Sequence, residues 1–196
     1  MSPDSLSVER LPPVATASRE RYSATVPDWS REAKSFWSWS PSRSLLASLR
    51  LHQRLIDSTN PWHAVLRKIA VLRHRFWSIV TGADIPLGCR IGGGLQLPHP
   101  NGVVIHGDVV LGPNCLIFQQ VTLGMRKGEV PILGGHVDVG AGARVLGSII
   151  VGDHCEIGAN AVVLADMPPW SVAVGIPATI RPRPSPGSTH PGGANE

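Results

Sequence analysis

The chain has 196 residues, 42% of them hydrophobic, which fits one domain with appendages. Its net charge of +4 is unevenly spread, since residues 1–84 carry 12 Lys and Arg against 7 Asp and Glu, whereas residues 85–180 carry 4 against 6. This acidic middle part excludes a nucleic-acid-binding surface spread along it. No apolar stretch reaches the roughly 20 residues of a membrane-spanning helix, and the early acidic residues do not resemble a secretion signal, so a cytoplasmic protein without a transmembrane segment is predicted.

The three cysteines, Cys89, Cys115 and Cys155, lie far apart in the sequence and form no C-x-x-C motif. This spacing favours small buried side chains in a reducing compartment over a disulfide framework. No metal site is expected from them.

Residues 1–42 mix Pro, Ser, Arg and Trp without a clear period. They are predicted to form a largely disordered arm with a short helix near Arg31–Trp37. Trp29, Trp37 and Trp39 are unusual in a disordered segment. They make the arm a candidate for docking on a protein partner or on another subunit.

Residues 43–82 are predicted to form an α-helical segment. Leucines hold one face of residues 43–58, and Asn60 followed by Pro61 is a start signal for a second helix that runs to about Val80 and ends at Gly82. The basic residues on its other face are interpreted as a solvated surface.

Aliphatic residues recur at every sixth position through residues 83–180, a period that neither an α-helix nor a single β-strand produces. A hexapeptide period is typical of a parallel β-helix, in which three hexads form one coil. We therefore predict a mainly β domain of roughly four to five coils over residues 83–180, followed by a flexible tail over 181–196. The recurring residues are Ile85, Ile91, Leu97, Ile105, Leu111, Ile117, Leu123, Leu133, Val139, Val145, Val151, Ile157 and Val163.

The repeat is first interrupted between Leu97 and Ile105, where residues 98–102 contain two extra positions. A solenoid accommodates insertions as loops at its corners, and such loops commonly form binding sites. His99, held between two prolines, is the candidate general base that takes a proton from an alcohol, because imidazole titrates near neutrality. Asn101 is a candidate substrate-binding residue, and His106 at a nearby corner assists His99, orients it or is inert.

The second interruption lies between Leu123 and Leu133 and contains residues 125–131. Arg126 and Lys127 are its candidate substrate-binding residues, and backbone N–H groups near Gly124 are candidates to stabilise an oxyanion. The two insertions are about one and a half coils apart. They are therefore expected to face one cleft, within one subunit or between neighbours.

Five motifs occur together between Gly82 and Arg183, a region that makes up about half the chain. With them the chain resembles the hexapeptide-repeat acyltransferases, specifically the serine acetyltransferase group. The motifs are Gly82-Ala83-Asp84-Ile85-Pro86, Leu97-Pro98-His99-Pro100-Asn101-Gly102-Val103-Val104-Ile105, Gln119-Gln120-Val121-Thr122-Leu123-Gly124, Ile157-Gly158-Ala159-Asn160-Ala161-Val162-Val163 and Val174-Gly175-Ile176-Pro177-Ala178.

The resemblance implies a left-handed β-helix, a homotrimer with active sites between subunits, and acetyl-CoA as the donor substrate. It places the catalytic His at His99 and the CoA-contacting Ala positions at Ala141 and Ala159. The region near the adenine end of CoA falls around Pro177 and Arg181. Whether two trimers associate further stays open.

Two positions depart from the serine acetyltransferase pattern. That group carries an Asp directly before the catalytic His, where this chain has Pro98. It also carries an Arg-His-Pro whose His helps to bind the serine carboxylate, where this chain has Glu129-Val130-Pro131. A carboxylate needs charged or hydrogen-bonding partners, which Arg126 and Lys127 are candidates to supply.

The predicted function is acetyl-CoA-dependent O-acetyl transfer to L-serine, the reaction of serine O-acetyltransferase in cysteine biosynthesis. One alternative is transfer to a saccharide hydroxyl in polysaccharide biosynthesis, and the second is a non-catalytic trimeric scaffold. A zinc site of the anhydrase type is not predicted, because the spacing of His99, His106 and His136 does not fit one coil position.

Overall fold

Two α-helices precede the repeat region in a computed structural model of the chain, which describes residues 22–35 and 37–185. Helix α1 spans Pro41–Leu55 and helix α2 spans Pro61–Thr81. The side chain of Asn60 caps α2 by accepting a hydrogen bond from the N–H of Trp62, and Gly82 ends it in a left-handed conformation with φ of 66°. The start and stop signals read from the sequence therefore agree with the structure. Among the described residues, neither helix is both long and apolar enough to cross a membrane.

Short strands follow α2, most of them only two residues long. Their bounds are β1 (Arg90–Ile91), β2 (Val104–Ile105), β3 (Val110–Leu111), β4 (Leu116–Ile117), β5 (Thr122–Gly124), β6 (Ile132–Leu133), β7 (Asp138–Val139), β8 (Arg144–Leu146), β9 (Ile150–Val151), β10 (Glu156–Ile157), β11 (Val162–Val163), β12 (Ser171–Gly175) and β13 (Ala178–Pro182).

The strands form three sheets, one on each side of a prism. Sheet 1 has the order β1-β3-β6-β9, sheet 2 has β2-β5-β8-β11, and sheet 3 has β4-β7-β10-β12-β13. All pairings are parallel except that of β12 with β13. The chain thus passes the three sheets in turn and returns to each of them once per coil, which is the arrangement of a parallel β-helix and confirms the predicted fold class.

The register shows where the two insertions lengthen a coil. Ile132 pairs with Ile150 across 18 positions, the length of three hexads. Arg90 pairs with Val110 across 20 positions and Val110 with Ile132 across 22, because these coils contain the insertions at residues 98–102 and 125–131. The extra residues leave the sheets undisturbed and lie in the corners.

The aliphatic columns fill the prism. The side chains of all thirteen recurring residues named above are buried in one hydrophobic cluster, and Leu45, Leu46 and Leu49 of α1 join it at the N-terminal end. Cys89 and Cys115 are buried, unpaired fillers of this core, and burial raises their pKa values to about 11 and about 12.

Three corners connect the sheets, and we name each by one residue. The His99 corner joins sheet 3 to sheet 2, the His106 corner joins sheet 2 to sheet 1, and the Asn114 corner joins sheet 1 to sheet 3. The His99 corner comprises 98–103, 118–121, 140–143 and 158–161; the His106 corner comprises 106–109, 125–131, 147–149 and 164–166; and the Asn114 corner comprises 92–95, 112–115, 134–137, 152–155 and 168–170.

Residues 22–35, which fall within the predicted disordered arm of 1–42, run along the Asn114 corner. The Asn114 amide nitrogen donates hydrogen bonds to the carbonyls of Ser23 (2.7 Å) and Val26 (2.8 Å), and its carbonyl oxygen accepts one from the N–H of Asp28 (2.8 Å). The helix predicted near Arg31–Trp37 is a 3₁₀ turn at Trp29–Glu32. Residues 1–21 of the predicted arm lie outside the described residues.

The end of the β-helix is also more regular than predicted. Residues 181–182 of the predicted flexible tail belong to β13, and Arg183 donates a hydrogen bond of 2.8 Å to the Glu156 carboxylate. Residues 186–196 lie outside the described part of the chain.

Candidate active site

His99 lies on a loop that backbone hydrogen bonds hold at the His99 corner. The N–H of Gly102 donates to the carbonyl of Gly82 (2.8 Å), and the N–H of Val103 donates to that of Pro100 (3.2 Å). One coil higher, Gln120 donates from its backbone to the Asn101 carbonyl (3.0 Å) and from its amide to the Asn101 side chain (3.1 Å). The two prolines and these bonds fix the backbone, while the His99 imidazole stays exposed to solvent.

The exposed imidazole borders a cleft of about 510 Å³ between the loop, the C-terminal end of α2 and the segment before α1. Its lining side chains are neutral apart from the titratable imidazole, and several offer hydroxyl or amide groups. They belong to Trp39, Ser40, Pro41, Ser42, Val80, Thr81, Pro98, His99, Pro100 and Asn101. The cleft thus presents a proton acceptor beside uncharged hydrogen-bonding groups.

Other candidate residues stack above His99 at the same corner. Ala141 and Ala159 occupy equivalent positions in successive coils, and the N–H of Asn160 donates to the Ala141 carbonyl at 2.8 Å. Pro177 lies in the turn between β12 and β13, just past the point where β12 reaches this corner. Both alanines carry only a methyl group at this edge of the prism. Arg181 pairs with Val172 at the other end of β12, a strand's length from Pro177.

The remaining candidates lie on a different edge, the His106 corner. Gly124 ends β5, and residues 126–129 form a tight turn closed by hydrogen bonds between Arg126 and Glu129 (2.9 and 3.2 Å). Lys127 occupies the turn with φ of 55°, and both Arg126 and Lys127 are exposed. His106 lies one coil below, where its Nδ1 accepts a hydrogen bond from the N–H of Asp108 at 3.3 Å.

The structure therefore brings His99, Asn101, Ala141, Ala159 and Pro177 to one edge of sheet 2. It leaves Gly124, Arg126, Lys127 and His106 at the opposite edge of the same sheet. Within one chain, the two insertions do not face one cleft. A site that used both groups would require a second copy of the chain.

The histidines considered for zinc lie on three different corners. His99 and His106 are separated as described, and His136 lies at the Asn114 corner, where its Nδ1 is 2.8 Å from Nδ1 of His154. Residues 22–35 and 37–185 contain no group of three His, Cys, Asp or Glu side chains that could hold a metal ion.

The sequence interpretation missed the contribution of the segment before α1. Trp39 and Ser42 line the cleft beside His99, and the Trp39 ring packs edge-to-face on Trp77 with centroids 5.6 Å apart. The unusual density of Trp in the arm was the available signal. It indicated docking, but not that Trp39 packs on α2 of its own chain.

Comparisons with known proteins find serine acetyltransferases among both the curated relatives and the solved structures. The chain is 44% identical over 106 residues to a serine acetyltransferase of Synechococcus elongatus, an alignment that covers 52% of this chain and 43% of the relative. The resemblance to the serine acetyltransferase group is confirmed. No known protein-family profile matches the chain.

Solved structures of serine acetyltransferases share the fold. One, described as a complex with CoA, superimposes with a TM-score of 0.61 at 31% identity and covers 73% of this chain and 58% of that one. A soybean serine acetyltransferase complexed with serine has a TM-score of 0.62 at 33% identity, with the same coverage. The chain spans about half the length of the proteins it matches. It covers 43% of the Synechococcus elongatus relative, 60% of a serine acetyltransferase from Helicobacter pylori and 58% of the structure in complex with CoA.

Proposed function

We propose that this protein is an acetyl-CoA-dependent O-acetyltransferase that acts on L-serine in the cytoplasm. The observation that carries the proposal is the exposed His99 on a fixed loop at the edge of the β-helix, beside a cleft large enough for an acceptor. The names of the relatives support serine as the acceptor.

In the proposed reaction, His99 takes the proton from the acceptor hydroxyl as its oxygen attacks the thioester carbonyl of acetyl-CoA. A new C–O bond forms, the C–S bond breaks, and the proton held by His99 neutralises the departing CoA thiolate. General-base assistance of this kind contributes about 10²–10⁴ to the rate. A covalent acetyl-enzyme on cysteine is disfavoured, because Cys89, Cys115 and Cys155 are buried in the prism and burial raises the pKa of each.

Two small side chains at the His99 corner support a place for the CoA arm. Ala141 and Ala159 occupy equivalent positions in successive coils above His99, and Pro177 follows the end of β12 that reaches this corner. We propose that CoA lies along this edge with its thioester at His99 and its adenine end near Pro177; Arg181, at the other end of β12, lies away from this edge.

The placement of the second group of candidates supports a homotrimer with shared sites. Arg126 and Lys127 reach the His99 of another subunit more readily than their own, since both groups lie on opposite edges of sheet 2. In this arrangement the two cations hold the acceptor carboxylate, and backbone N–H groups near Gly124 face the oxyanion.

A saccharide hydroxyl is the second candidate acceptor, and the lining of the cleft favours it. The chain's own side chains there include no Lys or Arg, whereas Trp39 offers an aromatic face and Ser42 and Asn101 offer hydrogen bonds. The departures at Pro98 and Val130 also weaken the match to a serine site.

The test is thiol release from acetyl-CoA with serine or with simple glycosides as acceptors. His99→Ala is expected to lose about 10²–10⁴ in turnover, whereas His63→Ala, on α2 and away from the cleft, keeps the wild-type rate. CoA binding measured by calorimetry should persist in His99→Ala. Wild-type turnover in that variant would exclude His99 as the base, and an absence of CoA binding by the wild-type protein would favour the non-catalytic scaffold.

Shared sites have a separate test. Trimers assembled from a mixture of His99→Ala chains and Arg126→Ala/Lys127→Ala chains contain some interfaces with both sets of native side chains. Such mixtures should regain part of the activity that each variant lacks. Mixed trimers as inactive as their parents would refute a site built from two subunits.

A further inference from the structure

One face of α2 is apolar and open to solvent along the whole helix. Six of its eight residues recur at spacings of three and four, the other two directly follow one of these six, and each side chain is between 41% and 83% exposed. We call this face the α2 stripe; it comprises Trp62, Val65, Leu66, Ile69, Leu72, Phe76, Ile79 and Val80. Exposed apolar side chains gathered on one face of a helix mark a surface that contacts something else.

The buried side of α2 is already occupied. Ala70, His74 and Thr81 face inward, and Nε2 of His74 lies 2.8 Å from the Ile85 carbonyl in the first coil. A rotation of α2 that buried the stripe against the chain's own β-helix would expose these inward-facing side chains. The stripe therefore stays exposed while α2 keeps its present contacts.

The charges beside the stripe have a single sign. Neither α1 nor α2 contains an Asp or Glu, whereas α2 carries Arg67, Lys68, Arg73 and Arg75. Arg67 donates a hydrogen bond to the Ile56 carbonyl (2.8 Å), but Lys68, Arg73 and Arg75 are exposed and form no ion pair among the described residues. The complementary surface is therefore anionic.

Tryptophans lie at both ends of the stripe. Trp62 begins it and is 75% exposed, and Trp39, which packs on Trp77, lies beside its C-terminal end and is 77% exposed. Tryptophan favours the boundary between water and the acyl chains of a lipid layer. An apolar helical face flanked by cations and bounded by Trp has the composition of a helix that lies in the plane of a membrane surface.

We propose that the α2 stripe docks the protein on an anionic lipid surface. A second copy of the chain is the competing occupant, but a two-fold contact between stripes would bring one cationic helix against another without an acidic residue to compensate. A lipid surface with negative headgroups matches both the apolar and the charged parts. The proposal is independent of the acceptor, although Val80 and Thr81 also line the His99 cleft, so docking would hold that cleft close to the lipid.

The test is flotation of the full chain with vesicles of phosphatidylcholine alone or mixed with phosphatidylglycerol. Binding is expected only to the mixed vesicles and should weaken as NaCl is raised, because salt screens the attraction. Lys68→Ala/Arg75→Ala is expected to bind roughly 30-fold more weakly, since each cation near an anionic surface contributes about 1 kcal/mol. Arg90→Ala/Arg144→Ala, which removes two exposed cations from the β-helix, is the matched control and should bind as the wild type does.

The apolar part has its own pair of variants. Leu72→Ser/Ile79→Ser should reduce binding at least tenfold, because both side chains enter the lipid layer, whereas Ile150→Ser on the outer face of β9 should not. Far-UV circular dichroism and thermal unfolding check that each variant is folded. Absence of binding to the mixed vesicles, or equal binding to neutral ones, overturns the proposal. A second result also overturns it: the wild-type protein does not bind vesicles, and sedimentation shows that Leu72→Ser/Ile79→Ser dissociates its oligomer. That result assigns the stripe to a contact with a second copy of the chain.

Discussion

Arg50 joins three parts of the molecule, and its removal is predicted to destabilise all of them. From the middle of α1, its guanidinium donates to both carboxylate oxygens of Glu32 (2.8 and 3.0 Å) and to the carbonyls of Ile91 and Gly92 in the first coil. Glu32 in turn accepts a hydrogen bond from the N–H of Leu95 at 3.0 Å. Both charged side chains are at most 10% exposed.

Arg50→Ala leaves the Glu32 carboxylate buried without its cation and deprives the buried Ile91 carbonyl and the partly buried Gly92 carbonyl of a donor. Breaking one partner of a buried ion pair costs about 3–5 kcal/mol in the free energy of unfolding. For a chain of this size, each kcal/mol shifts the melting temperature by about 2–4 °C, so a drop of about 6–20 °C is expected.

The assay is thermal and urea unfolding at one fixed protein concentration, because subunit association also contributes to the measured stability. Arg54→Ala removes an exposed arginine one turn further along α1 and should stay within about 0.5 kcal/mol of the wild type. In Arg50→Ala/Glu32→Ala, both charges are gone, so the loss should be clearly smaller than the sum of the two single losses. Additive losses, or an Arg50→Ala protein as stable as Arg54→Ala, would refute a buried, coupled pair.

Three further predictions concern the cleft, the arm and the response to acid. In steady-state assays, Trp39→Ala should raise the KM of the acceptor roughly tenfold and leave the KM of acetyl-CoA unchanged. The Trp37 side chain is 90% exposed and does not line the cleft, so Trp37→Ala should change neither KM. Asn114→Ala should cost about 2–3 kcal/mol and open residues 22–32 to limited proteolysis. Asn160→Ala, which removes a residue of similar positive φ at a different corner from residues 22–35, should leave them protected. Burial lowers the pKa of His74, so the unfolded chain binds the proton more strongly and the free energy of unfolding should fall as the pH drops below about 6.5. Urea unfolding measured from pH 7 to pH 5.5 should show a smaller fall in His74→Gln than in the wild type. An equal fall in both proteins would show that His74 does not cause the pH dependence.

The hexad period was sufficient to predict the β-helix, because each buried aliphatic residue fixes the inward direction of its strand. Ile85, Ile91 and Leu97 belong to three different sides of the prism, and the same order returns with Ile105 despite the two extra residues before it. An insertion changes the length of a corner but not the order of the sheets. For that reason the predicted place of His99 outside the prism agrees with its exposure.

The arm could not be predicted in the same way. Asn114 is separated from Ser23 by 91 positions and from Val26 by 88. Its own surroundings in the sequence indicate only a corner residue, and no local period in residues 22–35 points to a partner. Contacts of this kind depend on the folded β-helix, in which the Asn114 side chain lies at a corner and forms hydrogen bonds with the backbone of residues 23–28. Sequence composition alone therefore favoured disorder.

The division of the candidate residues between two edges follows from the same geometry and bears on how the protein works. Ala141 and Ala159 are eighteen positions apart, which is one full coil. They therefore lie on the same edge of the prism. Lys127, in the corner that follows sheet 2, necessarily lies on the next edge from His99, in the corner that precedes it. No adjustment of loop length within one chain moves a residue from one edge to the other. If both groups serve one reaction, the catalytic unit has to be an assembly of chains, and the acceptor site is then only as well formed as the contact between subunits that closes it.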